Sequence, residues 1–333
     1  MTKVSLPSVV VIGGGTGTYT LLSGLRDLPL SLCALLTMVD DGGSNRVLRD
    51  EFGLLPTSGV RLALAALSKN QPLLRELFLY RFHQGKGISG MTFGNLFLAA
   101  MTDIVGSQSK AIQETCKLLS VRGEILPISY DDVRLVAKLE DGREVVGEHA
   151  IDEPEHDGKI HIQDLYTVPK AKISPEAAER ILAADYIVLG PGDFYTNTIA
   201  NLVIGGVREA IVRSRAKLIF VVNLMTKYGE TYGFSASTFL EKLDRFLPSE
   251  RVDFVVMNTD REFPQHALDV YTKESSVPIV DDLDAYDGKV KVIRAPILSH
   301  HEVKAEAGDV LARSIIRHDS GKLGKVVFGI IKK

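Results

Sequence analysis

Near the N-terminus the run Gly13-Gly14-Gly15-Thr16-Gly17-Thr18 has the composition of a phosphate cradle. Glycines let the backbone turn sharply and bring consecutive N–H groups onto one anion, and a following helix adds unpaired donors and the positive end of its dipole. The apolar run Val9-Val10-Val11-Ile12 before it reads as a buried strand, and Leu21, Leu22 and Leu25 after it read as one face of a helix. The implied chemistry is the holding of a nucleotide or another phosphorylated ligand. The dinucleotide fingerprint is incomplete, because Gly13 and Gly15 are followed by Thr18 where a third glycine would stand. No Gly-Lys-Ser/Thr follows, which excludes a P-loop.

Other candidates stand where further apolar runs end. Asp40 and Asp41, in Val39-Asp40-Asp41-Gly42-Gly43-Ser44, could bind a ribose or base edge, or hold Mg²⁺ between phosphates; the alternative is an Asp-Gly turn. Ser44 is a candidate with them. Thr92 and Asn95 precede an apolar helix and are either ligand-facing or helix-start residues. A second glycine turn, Gly190-Pro191-Gly192, should open on the same sheet edge as the first, and there Tyr195, Thr196 and Asn197 are better ligand candidates than Asp193, whose carboxylate repels phosphate unless a cation intervenes. Asn223, Met225 and Thr226 open a polar stretch running to Thr231 that suits specificity contacts. His300-His301-Glu302 lacks a third metal ligand, and no spacing supports covalent catalysis.

Apolar runs at 9–12, 32–39, 185–190, 217–223, 252–258 and 277–281 alternate with segments of helical period. This alternation predicts an α/β fold: a Rossmann-like, doubly wound, mostly parallel sheet with helices on both faces. Between about 124 and 169 shorter alternating stretches, joined at Glu140-Asp141-Gly142-Arg143, predict a small antiparallel β insertion in a single domain spanning 1–333. The acidic stretch from Asp152 to Asp157 reads as a solvated loop. Thr57-Ser58, Ser174-Pro175 and Ser235 are helix starts. The tail Val326–Lys333 reads as a last strand at an edge, which makes a homodimer a reasonable expectation.

The 333 residues are 45% hydrophobic with a net charge of −3, so there is no basic field for nucleic acid. No run is long enough to span a membrane, and no signal-peptide pattern appears. The two cysteines, Cys33 and Cys116, suit reduced thiols of a cytoplasmic protein.

Taken together, Gly13 to Thr18, Asp40 to Ser44, Phe93-Gly94-Asn95-Leu96-Phe97-Leu98-Ala99-Ala100, Gly190-Pro191-Gly192 with Tyr195-Thr196, and Asn223 to Thr226 with Gly229-Glu230-Thr231 resemble the bacterial gluconeogenesis factor family. That family is related to the 2-phospho-L-lactate transferases of deazaflavin cofactor synthesis. The resemblance implies a bound nucleotide or nucleotide-sugar such as UDP-N-acetylglucosamine, growth on gluconeogenic carbon sources, and maintenance of cell shape. It would place Gly14 to Thr18 on the diphosphate, with Asp41, Asn95 and Asn223 fixing sugar or base. The chain departs from the family pattern at Pro56-Thr57-Ser58-Gly59-Val60-Arg61-Leu62, which lacks an acid and an amide usual there, and at Asp193, where serine is usual. The alternative is a Mg²⁺-dependent transferase acting on a nucleoside diphosphate-linked donor, with Asp40 or Asp41 on the metal.

Overall fold

Strands whose side chains are apolar on both faces need cover on both sides, and the chain supplies it. In the computed structural model, which describes residues 5–69, 72–300 and 315–332, seven parallel strands form one sheet. They are β1 (Ser8–Gly13), β2 (Ser31–Leu36), β3 (Glu124–Pro127), β7 (Tyr186–Leu189), β8 (Lys217–Val221), β9 (Phe254–Asn258) and β10 (Lys291–Ala295). Their order is β10-β9-β8-β7-β1-β2-β3. Val10 and Ile12 of β1 pack into the core on one face, while Val9 and Val11 pack into the core on the other. Chain order reverses between β1 and β7, so a crevice opens beyond the carboxyl ends of these strands, where open α/β sheets bind ligands.

A second sheet, in the order β5-β4-β6, is antiparallel and consists of β4 (Arg134–Leu139), β5 (Glu144–Val146) and β6 (Ile162–Val168). The insertion therefore begins at Arg134 and not near 124, because Glu124–Pro127 is an edge strand of the large sheet paired with β2. The turn at Glu140–Arg143 is as expected, with Gly142 at positive φ. Ser174 and Ser235 cap their helices, their side chains accepting from the N–H groups of Ala177 and Thr238. Thr57 precedes the helix Ser58–Leu67 without a side-chain cap.

Two apolar runs are not strands. Residues 277–281 make only an isolated bridge, Pro278 with Met225. The tail is the helix Ser320–Ile331: Asp319 caps it by accepting from Lys322 N at 2.8 Å, and Leu323, Val327, Ile330 and Ile331 fall on one buried face. This helix packs on Gly15–Leu25 through Gly24 and Gly324, where a Cβ on either glycine would overlap the other helix's backbone. With the tail helical, the ground for expecting a homodimer through an edge strand disappears. No helix among the described residues is long and apolar enough to cross a membrane. Cys33 and Cys116 are free thiols, each pushed up to about 12 mainly by burial, which makes them poor nucleophiles.

Candidate functional site

The first glycine turn leads from β1 into the helix Gly15–Leu25. Gly15 has φ +64°, and Gly14 stands at the N-cap with no side-chain cap, so the first-turn N–H groups are left to the cleft in front of them. The second turn packs directly against the first. A Cβ on Gly17 would overlap the Pro191 carbonyl, and one on Gly192 would lie 3.2 Å from the Gly14 carbonyl. Amides hold the joint: Asn223 Nδ2 donates to Gly192 O at 2.9 Å, and Asn201 Nδ2 donates to Gly13 O at 3.3 Å.

In front of this joint lies a cleft of about 620 Å³. Of the residues picked from sequence, Gly14, Gly15, Thr16, Gly17, Asp40, Gly192, Thr196, Asn197, Asn223, Met225 and Thr226 line it. The others stand behind its wall. Gly13 and Thr18 face each other, since a Cβ on Gly13 would overlap the Thr18 hydroxyl. Asn95 Nδ2 donates to Ser44 Oγ at 3.0 Å and to Asn45 Oδ1 at 3.3 Å, so Ser44 and Asn95 brace the chain after β2. Thr92 is buried at the start of its helix without capping it. Gly190 joins β7 to the turn at φ +74°. The Tyr195 side chain points into the core, its hydroxyl donating to Ile162 O at 3.2 Å.

The two acids after β2 have separate tasks. Asp41 accepts from Arg134 Nη1 at 3.0 Å and from His149 N at 2.9 Å, which clamps the small sheet to the end of β2. Asp40 faces the cleft; burial raises its carboxyl, partly offset by the Gly42 N–H and the Ser58 hydroxyl, with Arg61 a weaker opposing charge. The pair is not placed to share a metal in the cleft, because Asp40 lines it and Asp41, held by the Arg134 guanidinium, does not.

The second helix start is already filled. Glu230, fully buried, accepts from Tyr195 N at 2.8 Å and Thr196 N at 3.3 Å through Oε2, and from the Thr196 hydroxyl at 3.2 Å through Oε1. A carboxylate sits favourably at this positive end of the helical segment, which closes it to an outside anion. Lys227 Nζ lies 3.1 Å from both Asp193 and Glu230 and also bonds Asp152. It is the cation that faces the Asp193 carboxyl on the cleft wall. Burial and the Glu230 charge nevertheless push Asp193 up to about 8, against the pull of that ammonium. Asp152, the last residue of the short helix Glu148–Asp152, is buried against Lys227, whereas Glu153, Glu155 and Asp157 beyond it are exposed, so the solvated-loop reading fails only for the first residue of its stretch. The small sheet also brings Glu148 to the cleft, where burial, with the Asp40 charge next, raises its carboxyl well above the ordinary range.

Sequence reasoning missed Arg61, Glu148, Asp152, Lys227, Glu230 and His318 as cleft residues or their direct supports. Arg61 stood in a motif already noted, and Lys227 and Glu230 in a polar stretch already noted. Their partners lie too far along the chain to be paired by inspection. His301 and Glu302 lie outside the described residues.

Comparison with known proteins agrees with this geometry. The family model for 2-phospho-L-lactate transferase CofD matches residues 9–298. A gluconeogenesis factor of Bacillus subtilis strain 168 is 34% identical over 328 residues, covering 98% of this chain and 99% of the relative. One from Halalkalibacterium halodurans is 38% identical, covering 96% and 95%. A crystal structure of a UPF0052 family member from Bacillus halodurans superposes with a TM-score of 0.86 at 36% identity, over 96% of this chain and 99% of that one. On the match of sequence and fold along nearly its whole length, the chain belongs to the gluconeogenesis factor family, a relative of the CofD transferases.

Proposed function

We propose that the cleft binds a nucleotide or nucleotide-sugar, of the UDP-sugar class, through its diphosphate, and that the protein is a regulatory binding protein serving growth on gluconeogenic carbon sources and cell shape. One contrast carries this reading. Of the two glycine-turn helix starts that meet at the cleft, the second is filled by the internal carboxylate Glu230, whereas the first has no side-chain cap. An external anion is the complement of the first. Arg61 on the same cleft adds positive charge, and the names of the relatives support the link to gluconeogenesis. A ligand that binds only the native state raises its stability, by about 2.7 kcal/mol at a hundredfold excess over Kd. Thermal-shift screening with nucleoside diphosphates and UDP-N-acetylglucosamine, with and without Mg²⁺, tests the proposal. A rise without Mg²⁺ and without turnover supports it; no rise with any nucleotide at millimolar concentration overturns it.

The match to the CofD transferase model favours a second reading, phosphoryl-group transfer from a nucleoside diphosphate-linked donor. Mg²⁺ takes one or two carboxylates with phosphate oxygens and water, and Asp40, which lines the cleft while Asp41 does not, is the member of the pair placed to serve it. Donor consumption that is lost with EDTA and in Asp40→Asn would establish this reading in place of the first.

A further inference from the structure

His318 reaches the cleft from the segment before the last helix, its backbone bridged to Leu298. His318 is 7% exposed and its ring bonds the Val222 backbone, while Nε2 has no hydrogen-bond partner among the described residues. The bonded nitrogen is therefore Nδ1, and a carbonyl partner requires the proton there. This fixes the tautomer and leaves Nε2 as a lone-pair acceptor. Burial keeps the imidazole neutral, its pKa down to about 4. A buried acceptor without a donor is costly in a folded protein and calls for a partner from outside.

The walls around it narrow what that partner is. Leu224, Met225, Ile315, Ile316 and Tyr271 form an apolar wing of the same cleft. Leu224 and Met225 lie beyond β8, two strands along the sheet from the Gly14–Gly17 turn beyond β1. Two strand spacings are about 10 Å, a separation that the ribose of a nucleotide bridges between phosphate and base. An apolar wing with one neutral acceptor suits a flat heterocycle carrying one ring N–H.

We infer that His318 is a specificity-determining residue, whose Nε2 accepts a hydrogen bond from the ring N–H of an oxo-nucleobase, uracil N3–H or guanine N1–H, seated against Met225, Ile316 and Tyr271. The inference rests on the nucleotide reading above. Adenine and cytosine present a lone pair at the equivalent ring nitrogen, and two acceptors face to face repel.

The test is calorimetric titration of the full chain with UDP against 3-methyl-UDP, and with GDP against 1-methyl-GDP, in the native protein, His318→Gln and His318→Phe. Methylation replaces the donor and is expected to weaken binding to the native protein by about tenfold or more, with the responding pair identifying the base. The Gln variant, which keeps an acceptor, retains that discrimination. The Phe variant binds the parent nucleotide more weakly and loses it. Native protein that binds UDP or GDP but ignores methylation overturns the role of His318 while leaving the nucleotide reading intact, as does a Phe variant that discriminates as sharply as the native chain. Failure of the native protein to bind either diphosphate overturns both readings together.

Discussion

Gly17 and Pro191, which lie 174 residues apart, are in backbone contact: a Cβ at position 17 would overlap the Pro191 carbonyl and come within 2.8 Å of Gly192 N. Two turns that follow different strands are thereby joined into one wall, and the cleft in front of them belongs to both.

Gly17→Ala tests that joint. On an ordinary helix the change would stabilise by up to about 1 kcal/mol. Here overpacking against backbone is expected to dominate, with a net loss of about 2 kcal/mol by urea denaturation and weaker nucleotide binding by calorimetry. A stabilised variant with unchanged affinity would show that the turns are not packed as described.

Lys227→Met leaves Asp152 and Glu230, both almost fully buried, without their common cation. Removing one partner of a buried ion pair costs about 3–5 kcal/mol. The loss should be largest at neutral pH and shrink in mild acid, where the carboxylates take up protons. Denaturation curves at the two conditions measure it, and an equal loss at both would contradict the ion-pair account.

Asp41→Ala removes the acceptor that Arg134 and His149 share. The expected result is local: faster amide hydrogen exchange across 134–168, with β1, β7 and β8 as protected as before. The same variant should keep nucleotide affinity within a few fold, because Asp41 is turned away from the cleft.

His318 supplies a pH signature. Its folded-state pKa of about 4 lies below the ordinary 6.5, so between these values the unfolded chain binds a proton that the native one does not. Its contribution to stability is complete above pH 6.5 and is lost as pH falls toward 4, by on the order of 3 kcal/mol. His318→Gln should flatten the pH dependence of stability in that window. A slope unchanged by the substitution would place the titration elsewhere.

The elements that the sequence revealed are those fixed by local rules. Val9–Ile12, Tyr186–Leu189 and Leu218–Val221 carry uninterrupted apolar side chains because both faces are covered, and each ends in the polar or glycine turn that reaches the cleft. The missed strands, β3 and β10, are the two edges of the sheet, short or only half-buried, and their runs are broken by Pro127 or by Lys291 and Arg294. The tail was misread because Val326–Ile331 is apolar throughout; the helical signal lay upstream, in the Asp319 cap and the Leu323–Val327–Ile330 spacing. Site chemistry followed the same division. Glycine and Asn turns are legible one at a time, whereas the Lys227–Asp152 pair, 75 residues apart, exists only because the small sheet folds back over the large one.

The most direct test is a crystal structure of the protein grown with UDP-N-acetylglucosamine. The diphosphate is predicted to lie against the backbone N–H groups of Gly14 to Gly17, with the Glu230 bonds to Tyr195 and Thr196 unbroken. Density for the diphosphate at the Tyr195–Thr196 helix start, or outside this cleft altogether, would contradict the account.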